Sequence, residues 1–281
     1  MNANSKPKTS TVRYWLRDSA EQLADANIPS ALLDAEIILA HTLRKSRTWI
    51  HAHHEEPIDE RILDIADARL RLRLDRTPIA YIIGHKEFYS RLFKVTPSVL
   101  IPRPESEALI ELLKTHLPET AKHLLDVGTG SGCLGITAKL EFPQLHVTLS
   151  DISRYALKVA EENAEKLNAE VTIIRSDLLS KLQSPNVKFD IIIANLPYVD
   201  KSWERSPETN TEPKLALFAD NGGLALIYKL IQQIPFSIAP SGIVLLEADP
   251  AQHSAIIQYA AAHDLRHAAT SNYALVFEAA G

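Results

Sequence analysis

The apolar run Phe189-Asp190-Ile191-Ile192-Ile193-Ala194, broken at once by Asn195-Leu196-Pro197-Tyr198, constrains the fold of this chain more than any other stretch. A short run rich in β-branched residues, ended by Asn-x-Pro, predicts a buried strand. Parallel sheets covered by helices on both faces contain such strands. The polar residue that follows is then delivered to the carboxyl edge of the sheet, where open α/β folds bind ligands.

The rest of the second half repeats this logic. Strands are expected over 122–127, 145–150, 171–175, 189–194, 242–247 and 272–278, and helices over 105–115, 131–141, 153–167, 222–237 and 251–263. Regular alternation of that kind predicts an α/β fold with a mainly parallel sheet. Residues 11–76 read instead as a helical bundle, with no glycine before Gly84. Ser30 is placed to cap a helix whose face carries Leu33, Ile37, Ile38 and His41, and Asp59 to Leu74 repeats the pattern with Ile62, Ile65, Ala66 and Leu70. Between these parts, Ile79 to Gly84 and Phe88 to Val95 have β-like composition, the second folding as a hairpin that turns near Ser90. The chain thus divides into a helical domain over 11–76, a β-hairpin connector over 77–100 and an α/β domain over 101–281.

Composition removes several classes of function. No apolar stretch approaches the roughly 20 residues that span a bilayer, so no membrane association is expected. Met1 to Ser10 is polar, carries Lys6 and Lys8, and lacks the apolar core of a secretory signal; it is expected to fray. Cys133 is the single cysteine, which rules out an internal disulfide and suits a reducing cytoplasm. A net charge of −5 argues against a chain that grips long stretches of phosphate backbone. Arg69, Arg71, Arg73 and Arg76 cluster, but read as a solvated helix end. His51, His53 and His54 sit beside Glu55, Glu56 and Pro57 and read as a polar loop, not a metal site.

Gly128-Thr129-Gly130-Ser131-Gly132 follows the strand that ends at Val127. Glycines there permit positive φ and close approach of a ligand to the backbone. The dinucleotide fingerprint needs a third glycine at 133, which is Cys133, a small residue at a helix start. S-adenosylmethionine (SAM) has no pyrophosphate and demands less of a helix N-terminus. Asp151 ends the next strand, where its carboxylate can accept from two ribose hydroxyls, and Asp177 follows the third strand, placed to accept from an adenine amino group. Asn195-Leu196-Pro197-Tyr198 then completes a layout suited to methylating a planar NH2 group. Such a nitrogen is a poor nucleophile and must be held in line with the methyl–sulfur bond. The Asn195 side-chain oxygen and the Leu196 carbonyl are acceptors for its two N–H bonds, Pro197 stiffens the backbone, and Tyr198 offers an aromatic wall. Glu247, at the end of the fifth strand, has no assignable role from sequence.

These residues resemble the PrmC/HemK family, the glutamine N5-methyltransferases of peptide-chain release factors. The resemblance includes Leu33 to His41, Pro78 to Gly84, Glu87-Phe88-Tyr89, Val99 to Glu107, Glu212-Pro213 and Ala216 to Ala219. It implies a helical bundle followed by a Rossmann-like class I SAM-dependent methyltransferase domain. It also implies SAM bound by Gly128, Thr129, Gly130, Ser131, Gly132, Asp151 and Asn195, with Asp177 and Leu178 at the adenine. The substrate glutamine, from the Gly-Gly-Gln motif of a release factor, would be held by Asn195 to Tyr198 while the N-terminal helices dock the release factor. Three positions depart from the family pattern. Leu196 stands where proline is usual, so Asn195 loses the restraint that a following proline imposes. Leu178 stands where an aromatic is common, weakening the packing expected on adenine. Ala248-Asp249 is unusual after Glu247. The competing readings are a nucleic-acid adenine-N6 methyltransferase, which shares the Asn-Leu-Pro-Tyr spelling, and a SAM-binding protein that has lost activity through Leu196. A dinucleotide oxidoreductase is disfavoured by Cys133.

Overall fold

The computed structural model of the chain describes residues 10–183 and 188–280. Of the tail expected over residues 1–10, only Ser10 is among them, and it pairs with Ile58 in a short ladder. The chain forms two compact units: one runs to Gly84 and includes Ser206–Thr211, the other comprises His85–Arg205 and Glu212 onward.

In the first unit the helices are α1 (Val12–Asp25), α2 (Ala31–Leu43), α3 (Arg47–Ala52), α4 (Glu60–Leu74) and α5 (Ile79–Ile83), with strands β1 (Ser10–Thr11) and β2 (Pro57–Ile58). Their core is built on Trp15, Leu23, Ile38, Leu39, Ala66 and Leu70. Two expected core residues face water instead: Leu33 is 42% and Ile65 46% exposed. The inward stripes are Ala35, Ile38 and Leu39 on α2 and Leu63, Ala66 and Leu70 on α4; they keep Ile38, Ala66 and Leu70 of the expected faces but are shifted enough to leave Leu33 and Ile65 outside. The shift on α2 brings Asp34 inward. Arg73 Nε donates to Asp34 Oδ2 at 2.7 Å, and Arg73 Nη1 donates to Glu208 Oε1 at 3.0 Å. The Ser30 side chain makes no capping bond to the helix backbone; its hydroxyl donates to the same Asp34 oxygen at 2.9 Å.

The basic cluster is therefore only in part a solvated helix end: Arg71 is exposed, but Arg73 and Arg76 are tied down. Arg73 is 5% exposed, and Arg76 reaches the Ala26 carbonyl and Glu208. Burial pushes the Glu208 carboxyl up, but hydrogen bonds from Ser206 and Arg73 bring it down to about 2. Residues 79–83, expected as β, form α5. Pro78 precedes its first turn and Gly84, at φ +77°, closes it; those two punctuators outweigh the β propensity of the isoleucines. Of the histidines, His51 faces Glu36 at 3.3 Å and His53 stacks on Trp49.

The second unit begins with the hairpin β3 (His85–Phe88) and β4 (Arg91–Lys94). Tyr89 and Ser90 between them both have positive φ, 50° and 61°, as a two-residue turn of the primed type requires. Then come α6 (Glu107–His116), β5 (His123–Val127), α7 (Cys133–Glu141), β6 (His146–Asp151), α8 (Arg154–Leu167), β7 (Val171–Arg175) and β8 (Phe189–Ala194). The unit ends with α9 (Lys214–Leu217), α10 (Ala225–Gln233), β9 (Ile238–Glu247), α11 (His253–Ala261), β10 (Leu265–Ser271) and β11 (Ala274–Ala279). Seven strands form one sheet in the order β10-β11-β9-β8-β5-β6-β7, all running the same way except β11, which is antiparallel to both its neighbours. The run expected over 272–278 is β11; β10, an edge strand buried on one side only, was not expected.

The continuous apolar character of β8 follows from burial on both faces. Ile191 and Ile193 enter the core beneath α6 and α7, while Ile192 and Ala194 enter the core beneath α10 and α11. The same alternation holds on β9, where Ile243 and Leu245 face one way and Val244 and Leu246 the other. No helix among the described residues is long and apolar enough to cross a membrane.

Candidate active site

A cleft of about 190 Å³ opens at the carboxyl ends of β5, β6, β7 and β8. Its floor is the loop after β5. Gly128 and Thr129 donate their backbone N–H groups to the Ser150 carbonyl on β6, at 2.8 and 2.9 Å, so the loop is sewn to the neighbouring strand. Gly128 has φ +71°, and a Cβ there would lie 2.9 Å from Leu196 Cδ2. The Leu196 side chain, 3% exposed, thus covers the loop. In the sequence, position 196 presents only a backbone question; its packing role shows in the fold alone. Gly132, at φ +83°, starts α7, and Cys133 is its first residue. Burial pushes the Cys133 thiol up to about 12, which keeps it protonated and inert.

The two expected acids stand at the expected strand ends and line the cleft. Asp151 accepts from Gly130 N at 3.0 Å and from Ser153 N at 2.8 Å. Burial pushes its carboxyl up, against those backbone bonds. Asp177 is half-exposed and pairs with Lys229 at 2.7 Å. Leu178 beside it has φ +48° and adds an apolar wall. Gly128, Thr129, Gly130, Ser131, Asp151, Asp177, Leu178, Asn195, Leu196 and Pro197 are brought together; Gly132 and Tyr198 are not part of the lining.

Asp126 lies under the loop and was not anticipated as more than a strand residue. Its Oδ2 accepts from Thr129 Oγ1 at 2.6 Å and Gly135 N at 2.9 Å, and Oδ1 is buried without a partner. Burial pushes this carboxyl up to about 6, although both hydrogen bonds lower it. In the unfolded chain an aspartate titrates near 3.9. The protonated form therefore stabilises the fold below about pH 4, and that contribution, on the order of 3 kcal/mol, is gone above about pH 6. Asp126→Asn keeps an acceptor for both bonds. Urea denaturation of this variant should show a flatter stability profile between pH 4 and 6; an unchanged slope would refute the assignment.

Asn195 and Glu247 share one face of the sheet. Ala194 pairs with Leu246, so the residues that follow them are neighbours, and strand parity puts both on the side of Ile193 and Leu245. The α6 side meets them there through Ser106, 2% exposed. Asn195 Nδ2 donates to Ser106 Oγ at 2.9 Å. The Tyr198 hydroxyl donates to Glu247 Oε1 at 3.1 Å, and the Tyr198 carbonyl accepts from Gln252 Nε2 at 2.9 Å. Glu247 is 1% exposed. Its signal in the sequence was present: the only charged residue of a strand whose last five positions are otherwise apolar and buried. The rim is tied by Glu212, which accepts from Ile101 N at 3.1 Å and from Arg103 Nη2 at 2.5 Å. This pairing joins two segments that sequence reasoning could only set side by side.

A seven-stranded, mainly parallel sheet with a glycine loop after β5 and an acid ending β6 is the fold of a class I methyltransferase. Two solved structures share it: a methyltransferase from Pyrococcus furiosus, 19% identical with TM-score 0.52 over 75% of this chain and 96% of that one, and the Thermus thermophilus 16S rRNA N2 G1207 methyltransferase in complex with AdoMet and guanosine, 18% identical with TM-score 0.51 over 69% and 49%. Residues 104–212 match the family described as "Methyltransferase small domain", and residues 14–84 match the "PrmC N-terminal domain". The release factor glutamine methyltransferase of Koribacter versatilis is 39% identical over 85% of this chain and 89% of its own length, and that of Escherichia coli 34% over 88% of each. The chain belongs to the release factor glutamine methyltransferase family.

Proposed function

We propose that the chain transfers a methyl group from SAM to the side-chain amide nitrogen of the glutamine in the Gly-Gly-Gln motif of peptide-chain release factors. The observation that carries this reading is the Asn195 amide, held by Ser106 at the cleft edge beside the glycine loop. With Nδ2 committed to Ser106, Oδ1 is the atom left to accept an N–H from a planar amide.

The donor set fits SAM. A nucleoside with hydroxyls and an amino group suits a mostly apolar cleft with Asp151 and Asp177 at its strand ends, and a glycine loop lets it approach the backbone. When bound, SAM supplies an electrophilic methyl group on a sulfonium sulfur. The remaining work belongs to this chain. Asn195 Oδ1 and the Leu196 carbonyl accept the two glutamine N–H bonds and aim the nitrogen at the methyl carbon. With SAM bound there and its C–S bond breaking as the methyl group leaves, the alkylated nitrogen, made acidic and held by Asn195 Oδ1 and the Leu196 carbonyl, would release one of its two protons. Leu196 keeps the clamp seated on Gly128, so the absence of the usual proline does not leave this segment loose. The exposed Leu32 and Leu33 at the start of α2 support a docking role for the N-terminal helices, and a single free cysteine suits a cytoplasmic protein.

Labelled SAM and purified release factor test the reading, with a Gln-substituted release factor and ribosomal RNA as controls. Label on the release factor that depends on the glutamine is expected. Label on RNA alone would favour the adenine-N6 alternative. Asp151→Ala, which removes a charged acceptor, should weaken SAM binding by about 1.5–3 kcal/mol, or roughly 10- to 150-fold. Unchanged affinity by calorimetry would reject the ribose assignment.

A further inference from the structure

We propose that Glu247 is a positioning residue for the transfer, and that its carboxylate fixes which way the Asn195 amide faces. The inference rests on the function proposed above. An Asn side chain has a donor end and an acceptor end of nearly equal shape, and only its surroundings decide which end enters the cleft. Ser106 alone does not decide, because a hydroxyl both donates and accepts. A carboxylate accepts only. Glu247 closes the network from below: Oε1 takes the Tyr198 hydroxyl at 3.1 Å, and Oε2 is buried with no partner in hydrogen-bonding geometry. An amide oxygen turned toward that site would meet a second negative oxygen in a buried setting, Glu247 being 1% exposed. The NH2 end is therefore drawn to the Ser106–Glu247 side, and Oδ1 is left for the substrate.

The groups around the carboxylate are few. Glu105, Tyr198 and Cys133 face it, with Asp249 and Tyr273 beyond Tyr198. On the adjacent strands its neighbours are Ala274 on β11 and, one residue past the Ala194–Leu246 pair, Asn195, which do not titrate. Burial pushes the Glu247 carboxyl up, while Ser106, Tyr198 and Asn195 stabilise its charged form. Once protonated, Glu247 gains a donor. Asn195 Oδ1 can then turn inward, and the NH2 end would confront the N–H bonds of the substrate.

Glu247→Gln tests this, because it keeps shape but carries a donor permanently. At saturating SAM the variant should lose turnover by a factor on the order of 10–10², as expected when a reacting group is misoriented, with SAM affinity by calorimetry unchanged. Wild-type kcat should fall on the acid side, and the variant should lack that limb. Independently of activity, the Asn195 side-chain amide signal in 15N NMR, assigned by its loss in Asn195→Ala, should shift in Glu247→Gln. Glu247→Asp retains the charge and should recover part of the turnover. If the wild type labels release factor while Glu247→Gln matches it in kcat and acid limb, with the Asn195 signal unmoved, the positioning role is overturned and the function stands. A fall in SAM affinity that accounts for the whole rate loss, or equal losses in the Gln and Asp variants, would overturn it as well. A wild type that never labels release factor defeats the function itself.

Discussion

Asn195→Ala lowers turnover of glutamine methylation by a factor on the order of 10²–10³, the loss typical of one preorganised polar group at a reacting centre. SAM affinity should change far less, because the glycine loop and Asp151 stand on other strands. Asn195→Asp sharpens the experiment. It retains an acceptor but sets a second carboxylate beside Glu247, next to the buried Ser106. Two like charges that close cannot both stay ionised without cost, so the variant should bind SAM, turn over slowly and show an altered pH profile. Wild-type rates for Asn195→Ala in a single-turnover assay would reduce Asn195 to a turn residue.

The second large effect concerns stability of the helical unit. Arg73→Ala strands Asp34, 3% exposed, without its cation and removes a bond from Glu208. Breaking a buried pair on one side costs about 3–5 kcal/mol, whereas replacing both partners with apolar groups of similar volume is often neutral. The single variant should therefore lose most amide-exchange protection in α2 and α4. The double variant Arg73→Met with Asp34→Leu should regain a large part of it. A loss below about 1 kcal/mol in the single variant would mean that water already screens the pair, as it does at the surface.

How much of this was legible in the sequence depended on how local the signal was. The strand over 189–194 and its polar terminus were readable because burial on both faces writes itself as an unbroken apolar run. The glycine loop and Asp151 were readable from adjacency to such runs. Arg73 was misread because Asp34 is far away in sequence and Glu208 further still, beyond any periodicity argument. The phase of α2 was hidden for the same reason: the buried partner that Asp34 finds in Arg73 lies 39 residues away in the chain. At residues 79–83 the β-branched composition points to a strand, while Pro78 before and Gly84 after set a short helix. Glu247 was visible as an oddity but mute, since its meaning lies in the register that sets it beside Asn195.

That register bears on how the chain can change length. Each residue of β8 alternates between two cores, and one residue inserted or deleted within it would send Asn195 to the α10 side and away from Ser106 and Glu247. The same holds for the last five residues of β9. Relatives that gain or lose residues should therefore do so in the connections, and the frame of these two strands should be preserved even where their individual apolar residues are exchanged. In this protein the count of residues in a strand is as much a part of the site as the side chain at its end.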